Sequence, residues 1–133
     1  MRWLIKNMKW VMLLSGVLTC TMLYAAIAPN AALESTFGDR LQGPTAEIVV
    51  RNWGVLITLM GVMLIYGALK KESRPFVLTI VGISKVAFIG LVLGNGTRYL
   101  ANQAGIAIAL DTVMVALYVV YLIGSRNEAN VLT

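Results

Sequence analysis

Lys85 and Asp111 are the two ionisable residues that lie well inside long apolar stretches of this sequence. Lys85 stands in the middle of "GISKVAFIGL", and Asp111 stands in "AGIAIALDTVMVAL". A single charge near the centre of a membrane helix costs about 2.5–3.5 kcal/mol on insertion scales. Both side chains are therefore expected to face protein or water, and the first question is whether they can meet.

The depth of each charge can be counted from the short polar connection between the two apolar stretches. Lys85 precedes Gly94 by nine residues, and Asp111 follows Gly105 by six. At 1.5 Å per residue these positions lie roughly 13–14 Å and roughly 9 Å below the connection. The difference of about 4–5 Å is within reach of a lysine side chain that extends toward the nearer polar surface. The sequence predicts a Lys85–Asp111 pair in the outer half of the molecule.

Other polar residues are expected around this pair, at the same end of their helices. They are Arg51, Asn52, Ser84, Asn95, Arg98, Asn102 and Gln103. Arg51 is a competitor for Asp111, because a guanidinium binds a carboxylate through two hydrogen bonds. Two interpretations stay open: a buried ion pair that fixes helix register, or an outward-facing pocket that binds a small polar or anionic headgroup or relays protons through Asp111.

The composition indicates which elements must position these charges. Of the 133 residues 59% are hydrophobic and 13% are charged, and the mean hydropathy is +0.80, which is far from the values of soluble domains. Each of four apolar stretches approaches the ~20 residues that cross ~30 Å of hydrocarbon. The stretches are approximately 10–28, 49–69, 75–94 and 105–124. We predict an all-α fold, a single integral membrane four-helix bundle (residues 1–133) with up-down-up-down topology and an external loop at 29–48.

The charge distribution predicts an orientation. Seven basic residues fall at the two termini and between the second and third stretches: Arg2, Lys6, Lys9, Lys70, Lys71, Arg74 and Arg126. Only Glu72 and Glu128 oppose them, so the net charge of +5 lies on one side. The positive-inside rule then places both termini in the cytoplasm. This one-sided distribution also argues against a nucleic-acid-binding surface.

The start of the chain also resembles a signal peptide, with a basic beginning, an apolar centre and the triplet Ala26-Ile27-Ala28. Pro29 would follow the cleavage point, a position that we expect signal peptidase to disfavour. Removal of this segment would also delete one quarter of the bundle. We therefore expect an uncleaved first span.

Residue types that are missing narrow the function. The sequence has no histidine, and Cys20 is its single cysteine. Intramolecular disulfides, the common His/Cys metal sites and nucleophiles activated by histidine are therefore excluded. We expect no enzymatic activity, no cofactor and no metal site.

Small residues recur every seven positions in the second stretch, at Gly54, Gly61 and Ala68. This spacing predicts a smooth seam where a neighbouring helix approaches closely. A permeation path along the same seam is the alternative, and packing is the interpretation that we favour.

The segment "VRNWGVLITLMGVMLIYGALKKESRP", with the later "ISKVAFIGLVL", resembles a family of small four-span bacterial inner-membrane proteins of unknown function that are DoxX-like in general appearance. The residues that carry the resemblance are Arg51, Asn52, Gly54, Gly61, Tyr66, Gly67, Ser84 and Lys85. The resemblance covers approximately residues 28–123 and implies a compact bundle in the bacterial plasma membrane. It supplies no catalytic residue. DoxX-like proteins are associated with redox or quinone-linked systems, but this chain lacks the cysteines for such chemistry.

These observations favour a non-enzymatic inner-membrane binding or accessory subunit. Its polar pocket on the periplasmic side would hold a lipid-like or quinone-like molecule, and its partners would be membrane lipids, another membrane protein or a second copy of itself. The alternative is an oligomeric small transporter or channel in which Lys85 and Asp111 line a polar route. An enzyme acting on lipid, with Asp111 as a base, ranks last because no second carboxylate lies within helical reach.

Overall fold

The structure, a computed structural model, describes residues 2–40 and 42–132. Every regular element among these residues is helical, which confirms the all-α prediction. The helices are α1 (Arg2–Cys20), α2 (Leu23–Ile27), α3 (Pro29–Phe37), α4 (Pro44–Leu69), α5 (Arg74–Leu93) and α6 (Gln103–Leu132). A short 3-10 turn at Lys71–Ser73 joins α4 to α5.

Four helical segments are long and apolar enough to cross a membrane. They are Arg2–Ile27, which combines α1 and α2, Pro44–Leu69, Lys71–Leu93 and Gln103–Val131. Large apolar side chains are exposed on each segment, as Leu14, Leu59, Ile83 and Val113 illustrate. Such a surface is unfavourable in water and suits hydrocarbon, so the fold is consistent with a multi-pass membrane protein.

The region between the first two predicted spans, 29–48, is largely helical. Proline begins both of its helices, Pro29 in α3 and Pro44 in α4, because proline needs no backbone donor in the first helical turn. Gly38 ends α3 with a left-handed φ of 69°, which glycine adopts without steric cost. The region therefore contains the short helix α3 and, from Pro44 onward, the first residues of α4.

The four long segments surround a common interior. Helix α4 contacts α1, α2 and α5, and α6 contacts α5 and α1, while α3 lies against α4 and α6. Along α1 and α4 the contacts run in opposite directions, since Met12 lies beside Gly67 and Ala26 lies beside Gly54. The same is true of α5 and α6, where Gly82 faces Tyr118 and Lys85 reaches Asp111.

Small residues allow α4 to approach α1 and α2 very closely. A Cβ added to Gly61 would lie 2.6 Å from Cys20 Sγ, 2.8 Å from Gly16 O and 2.9 Å from Cys20 N. A Cβ added to Gly54 would lie 2.6 Å from Ala26 N. Ala68, the third member of the predicted seam, is also buried. The contact between α4 and the α1–α2 segment is therefore made largely by backbone against backbone.

The apolar interior is divided into two clusters. The cluster near the chain ends, here called the terminal-end core, contains Leu4, Met8, Met12, Leu64, Ala68, Val77, Leu78, Val81, Met114, Tyr118 and Tyr121. The cluster beside α3 and the α5–α6 connection, here called the loop-end core, contains Val92, Ala104 and Ile108, packed against Phe37, Phe88, Ile89 and Tyr99. The candidate site lies between these two cores.

Arg74 has a structural position that its sequence context does not suggest. Its side chain is buried, and its Nε and Nη2 donate to the carbonyl oxygens of Gly67 and Ala68 at 3.0 Å and 2.7 Å. The last carbonyls of a helix lack partners within the helix, so the guanidinium satisfies the end of α4. Arg74 thus fixes the turn between α4 and α5.

Candidate binding site

Lys85 and Asp111 form an ion pair between α5 and α6. Lys85 Nζ donates to Asp111 Oδ1 at 2.6 Å, and the two side chains are 10% and 17% exposed. Val81 lies one turn from Lys85 on α5, and Met114 lies one turn from Asp111 on α6. Because both of these neighbours belong to the terminal-end core, the pair marks the boundary where the packed interior stops.

Beyond that boundary lies a cavity of about 350 Å³. All four long segments and α3 contribute to its walls, and most of the lining is apolar. The polar side chains in the lining are Thr19, Thr21, Thr36, Ser84, Lys85, Gln103 and Asp111. This combination of an apolar wall and a few polar groups is typical of sites for small molecules, which start at about 300 Å³.

The two cores close the cavity at its two ends. Val81 and Met114 of the terminal-end core form one end, and Phe88 of the loop-end core lies at the other. Trp53 from α4 and Thr36 from α3 complete the second end. A molecule in this space would therefore be held between two apolar layers, with the ion pair in the wall.

The side of the cavity between the α1–α2 segment and α6 is the open one. Leu18, Ile106 and Leu110 line the cavity and are also 39%, 64% and 46% exposed. Thr21 and Met22, which interrupt the helix between α1 and α2, lie on the same side. Because this opening is bordered by apolar side chains on membrane-length helices, it faces the direction from which lipid would enter.

The site retains unused hydrogen-bonding capacity. An ammonium group has three donors, and Lys85 uses one of them on Asp111. Asp111 Oδ2 receives no hydrogen bond from the described part of the chain. The same is true of the Thr36 and Ser84 hydroxyls, although Thr36 is only 6% exposed. Donors and acceptors are therefore both available to a bound molecule.

Arg51 does not form an ion pair with Asp111 in place of Lys85. Its guanidinium pairs with Glu47 one turn earlier on α4, at 2.7 Å, and also donates to the carbonyl oxygens of Ala26 and Ile27. Those carbonyls are at the end of α2 and lack helical partners, so they compete well for a guanidinium. Arg51 therefore ties α2 to α4 and does not line the cavity.

Three other residues predicted for the pocket also lie elsewhere. Asn52 is exposed, Asn95 Nδ2 donates to Leu91 O at 2.8 Å, and Arg98 Nη2 lies 3.8 Å from Asp39 Oδ2. Counting depth along a helix does not determine which face a residue occupies, and these residues lie on other faces or in the connection. Of the nine residues predicted for the site, the structure places Lys85, Asp111, Ser84 and Gln103 at the cavity.

An aromatic cluster at the loop end was not anticipated from the sequence. Phe37 lies with its ring centroid 6.0 Å from Trp53, 6.5 Å from Phe88 and 5.4 Å from Tyr99. A second groove of about 390 Å³ runs beside it and also includes Asp39 and Asn95 in its lining. Trp53 and Phe88 line both spaces, so this cluster separates the cavity from the loop-end surface.

Tyr118 is a further buried polar residue, and the sequence gives no sign of its position. It is 1% exposed, and its hydroxyl lies near the Ser15 side chain without making a hydrogen bond of standard geometry among the residues described. A tyrosine in an apolar stretch gives no indication of whether its hydroxyl is hydrogen-bonded.

Among the described residues no group of three or more His, Cys, Asp or Glu side chains is arranged to hold a metal ion.

Comparison with known family models, with curated proteins and with solved structures finds no match to this chain. The resemblance to DoxX-like membrane proteins therefore stays a prediction.

Proposed function

We propose that this protein is a non-enzymatic, multi-pass protein of the bacterial inner membrane that holds a lipid-like or quinone-like molecule in the cavity beside Lys85 and Asp111. In this proposal the four spans alternate in direction and both termini are cytoplasmic. The opposed directions of the α1–α4 and α5–α6 contacts support the alternation, and the one-sided positive charge supports the orientation.

The observation that carries the proposal is a cavity of ligand size whose wall contains a buried ion pair and whose opening is apolar. A purely structural ion pair would be expected to be surrounded by packed side chains. Here the terminal-end core packs on one side of the pair, and the cavity lies on the other. A molecule with a polar head and an apolar body would fill that space and use the unpaired donors and acceptors.

The terminal-end core weighs against the alternative of a transporter or channel. Met8, Met12, Leu64 and Leu78 are almost completely buried in it, and none of them is polar. A polar route that starts at Lys85 and Asp111 would have to pass through this packed layer. The arrangement supports a closed pocket better than a path across the membrane.

Filling the cavity provides the direct test. Ala107 lines the cavity, whereas Ala109, two residues later on the same helix, is exposed and does not. The protein would be extracted with its surrounding lipid in polymer nanodiscs, and the bound small molecules identified by mass spectrometry. We expect a molecule enriched over bulk membrane lipid in the wild type and in Ala109→Phe, and its loss in Ala107→Phe. Equal retention by both variants would refute the binding role.

The accessory-subunit part of the proposal needs a separate experiment. Crosslinking in native membranes, followed by purification in mild detergent, is expected to recover this chain with another membrane protein or with a second copy. A chain that runs alone, with no crosslinked species, would limit the function to ligand binding. Reconstitution in liposomes addresses the alternative, because a transporter would show flux that Lys85→Met or Asp111→Asn abolishes.

A further inference from the structure

We propose that the molecule held in the cavity is an uncharged lipid whose head carries a hydroxyl beside a carbonyl, of the chemical class of monoacylglycerols. This inference rests on the proposed binding function and specifies the chemistry of its ligand. Three properties of the site carry it: the net charge of the lining, the arrangement of the unused hydrogen-bonding groups, and the position of the opening.

The lining has no net charge. Lys85 and Asp111 are the two ionisable side chains among the residues that line the cavity, and they already neutralise each other. A phosphate or carboxylate headgroup would bring an uncompensated negative charge next to Asp111. Burial of an unpaired charge is costly, because nothing in the wall replaces its water. Arg51, the basic residue that the sequence predicted near this pair, cannot compensate such a charge. Its guanidinium is already bound to Glu47 and to the end of α2.

The unused hydrogen-bonding groups of the site are best satisfied by a lipid head that both donates and accepts hydrogen bonds. Lys85 has N–H groups left to donate, while Asp111 Oδ2 can only accept, and the two side chains are within 2.6 Å of each other. A carbonyl oxygen suits Lys85, and an adjacent hydroxyl suits Asp111. The hydroxyls of Thr36 and Ser84 can serve either partner. A head with carbonyls alone would leave Asp111 Oδ2 without a donor.

The opening and the volume favour a ligand that stays partly in the bilayer. The gap between the α1–α2 segment and α6 is lined by Leu18, Ile106 and Leu110, which offer apolar contacts to a hydrocarbon chain. A volume of about 350 Å³ is at the lower end of the range for ligand sites, so it fits a head and the first part of a chain. The remainder of the chain would lie in the gap and in the surrounding lipid.

Trp53 allows this selectivity to be measured. It lines the cavity, whereas Trp3 and Trp10, the other tryptophans, are 71% and 65% exposed on α1. In a Trp3→Phe/Trp10→Phe protein in detergent, a monoacylglycerol with a dibrominated stearoyl chain is expected to quench Trp53 saturably. Three unlabelled oleoyl competitors would then be compared: monooleoylglycerol, methyl oleate, and oleoyl lysophosphatidylglycerol. They share a chain and differ in the head.

Monooleoylglycerol is expected to displace the brominated probe at a concentration about tenfold lower than either other competitor, the size expected for a hydrogen bond to a charged group. In a Lys85→Met/Asp111→Leu background that advantage should disappear, while displacement by methyl oleate persists. Equal displacement by methyl oleate in the unaltered site, or stronger displacement by the phosphoglycerol lipid, would overturn the ligand class and leave lipid binding intact. Absence of saturable quenching by the probe would overturn the binding function and this inference together.

Discussion

The α1–α4 contact and the α5–α6 contact hold neighbouring helices together in different ways. In the first, Gly16 and Gly61 bring two backbones so close that a Cβ on Gly61 would lie 2.8 Å from Gly16 O. In the second, a Cβ added to Gly82 would find its nearest neighbour, Tyr118 Cδ2, at 3.9 Å. The second contact instead contains the ion pair of Lys85 and Asp111.

The difference shows where this molecule can accommodate a ligand. Lipid chains are as apolar as the helix surfaces, so helices associate in a membrane through close van der Waals contact or through polar interactions. The α1–α4 contact uses the first means and leaves no space. The α5–α6 contact uses the second, and the longer reach of a lysine side chain allows the helices to stand apart beside the cavity.

The largest effect is expected from breaking the ion pair. Lys85→Met and Asp111→Leu should each lower the free energy of unfolding by about 3–5 kcal/mol, because each leaves an unpaired buried charge. The double variant should recover much of that loss. Unfolding by SDS titration in mixed micelles would provide the four free energies of a double-mutant cycle.

The exposed pair of Arg40 and Glu34 is a matched control for this cycle. Its side chains are 65% and 56% exposed, and such pairs contribute about 0–1 kcal/mol. The cycle of Arg40→Met and Glu34→Leu should therefore show little coupling. Additive losses at Lys85 and Asp111, similar to the control, would show that the pair does not hold α5 to α6.

A second prediction compares how one added methyl group changes the free energy of unfolding at each of the two contacts. Gly61→Ala should destabilise the protein by about 1–3 kcal/mol, because the new methyl meets backbone atoms of Gly16 and Cys20 that cannot move separately from their helix. Gly82→Ala should be neutral or should stabilise by up to about 1 kcal/mol, because alanine favours a helix and the space is available. The same SDS titration measures both, and effects of the same sign would remove the distinction between the two contacts.

The sequence predicts the helices and the ion pair well for a physical reason. Four apolar stretches of membrane length predict four helices, and two isolated charges at similar depth on consecutive helices have few partners except each other. The seam residues Gly54 and Gly61 also lie at the contact that their spacing suggested, against α2 and α1. These features depend on position along a helix, which the sequence states directly.

The cavity could not be predicted in the same way. Its walls depend on which faces of the helices meet, and Arg51 was misplaced because Glu47 and the carbonyl oxygens at the end of α2 are closer partners than Asp111. Thr36 reaches the cavity because the predicted external loop forms helix α3 and contacts α4 and α6. The helix is interrupted between α1 and α2 at Thr21, which borders the opening. No proline or glycine lies at this interruption, so the sequence does not predict it.

The smallest effect is expected at Tyr118, where the two kinds of contact adjoin. This ring contacts α5 at Gly82 and belongs to the terminal-end core with Met8 and Met12 of α1. Its buried hydroxyl lies near the Ser15 side chain but makes no hydrogen bond of standard geometry in the described structure, so Tyr118→Phe removes a poorly compensated polar atom and keeps the ring. The free energy of unfolding should stay the same or rise by up to about 1 kcal/mol. A loss above about 1 kcal/mol in the SDS titration would mean that the hydroxyl is hydrogen-bonded. The terminal-end core would then not be a purely apolar layer between the cavity and the chain ends.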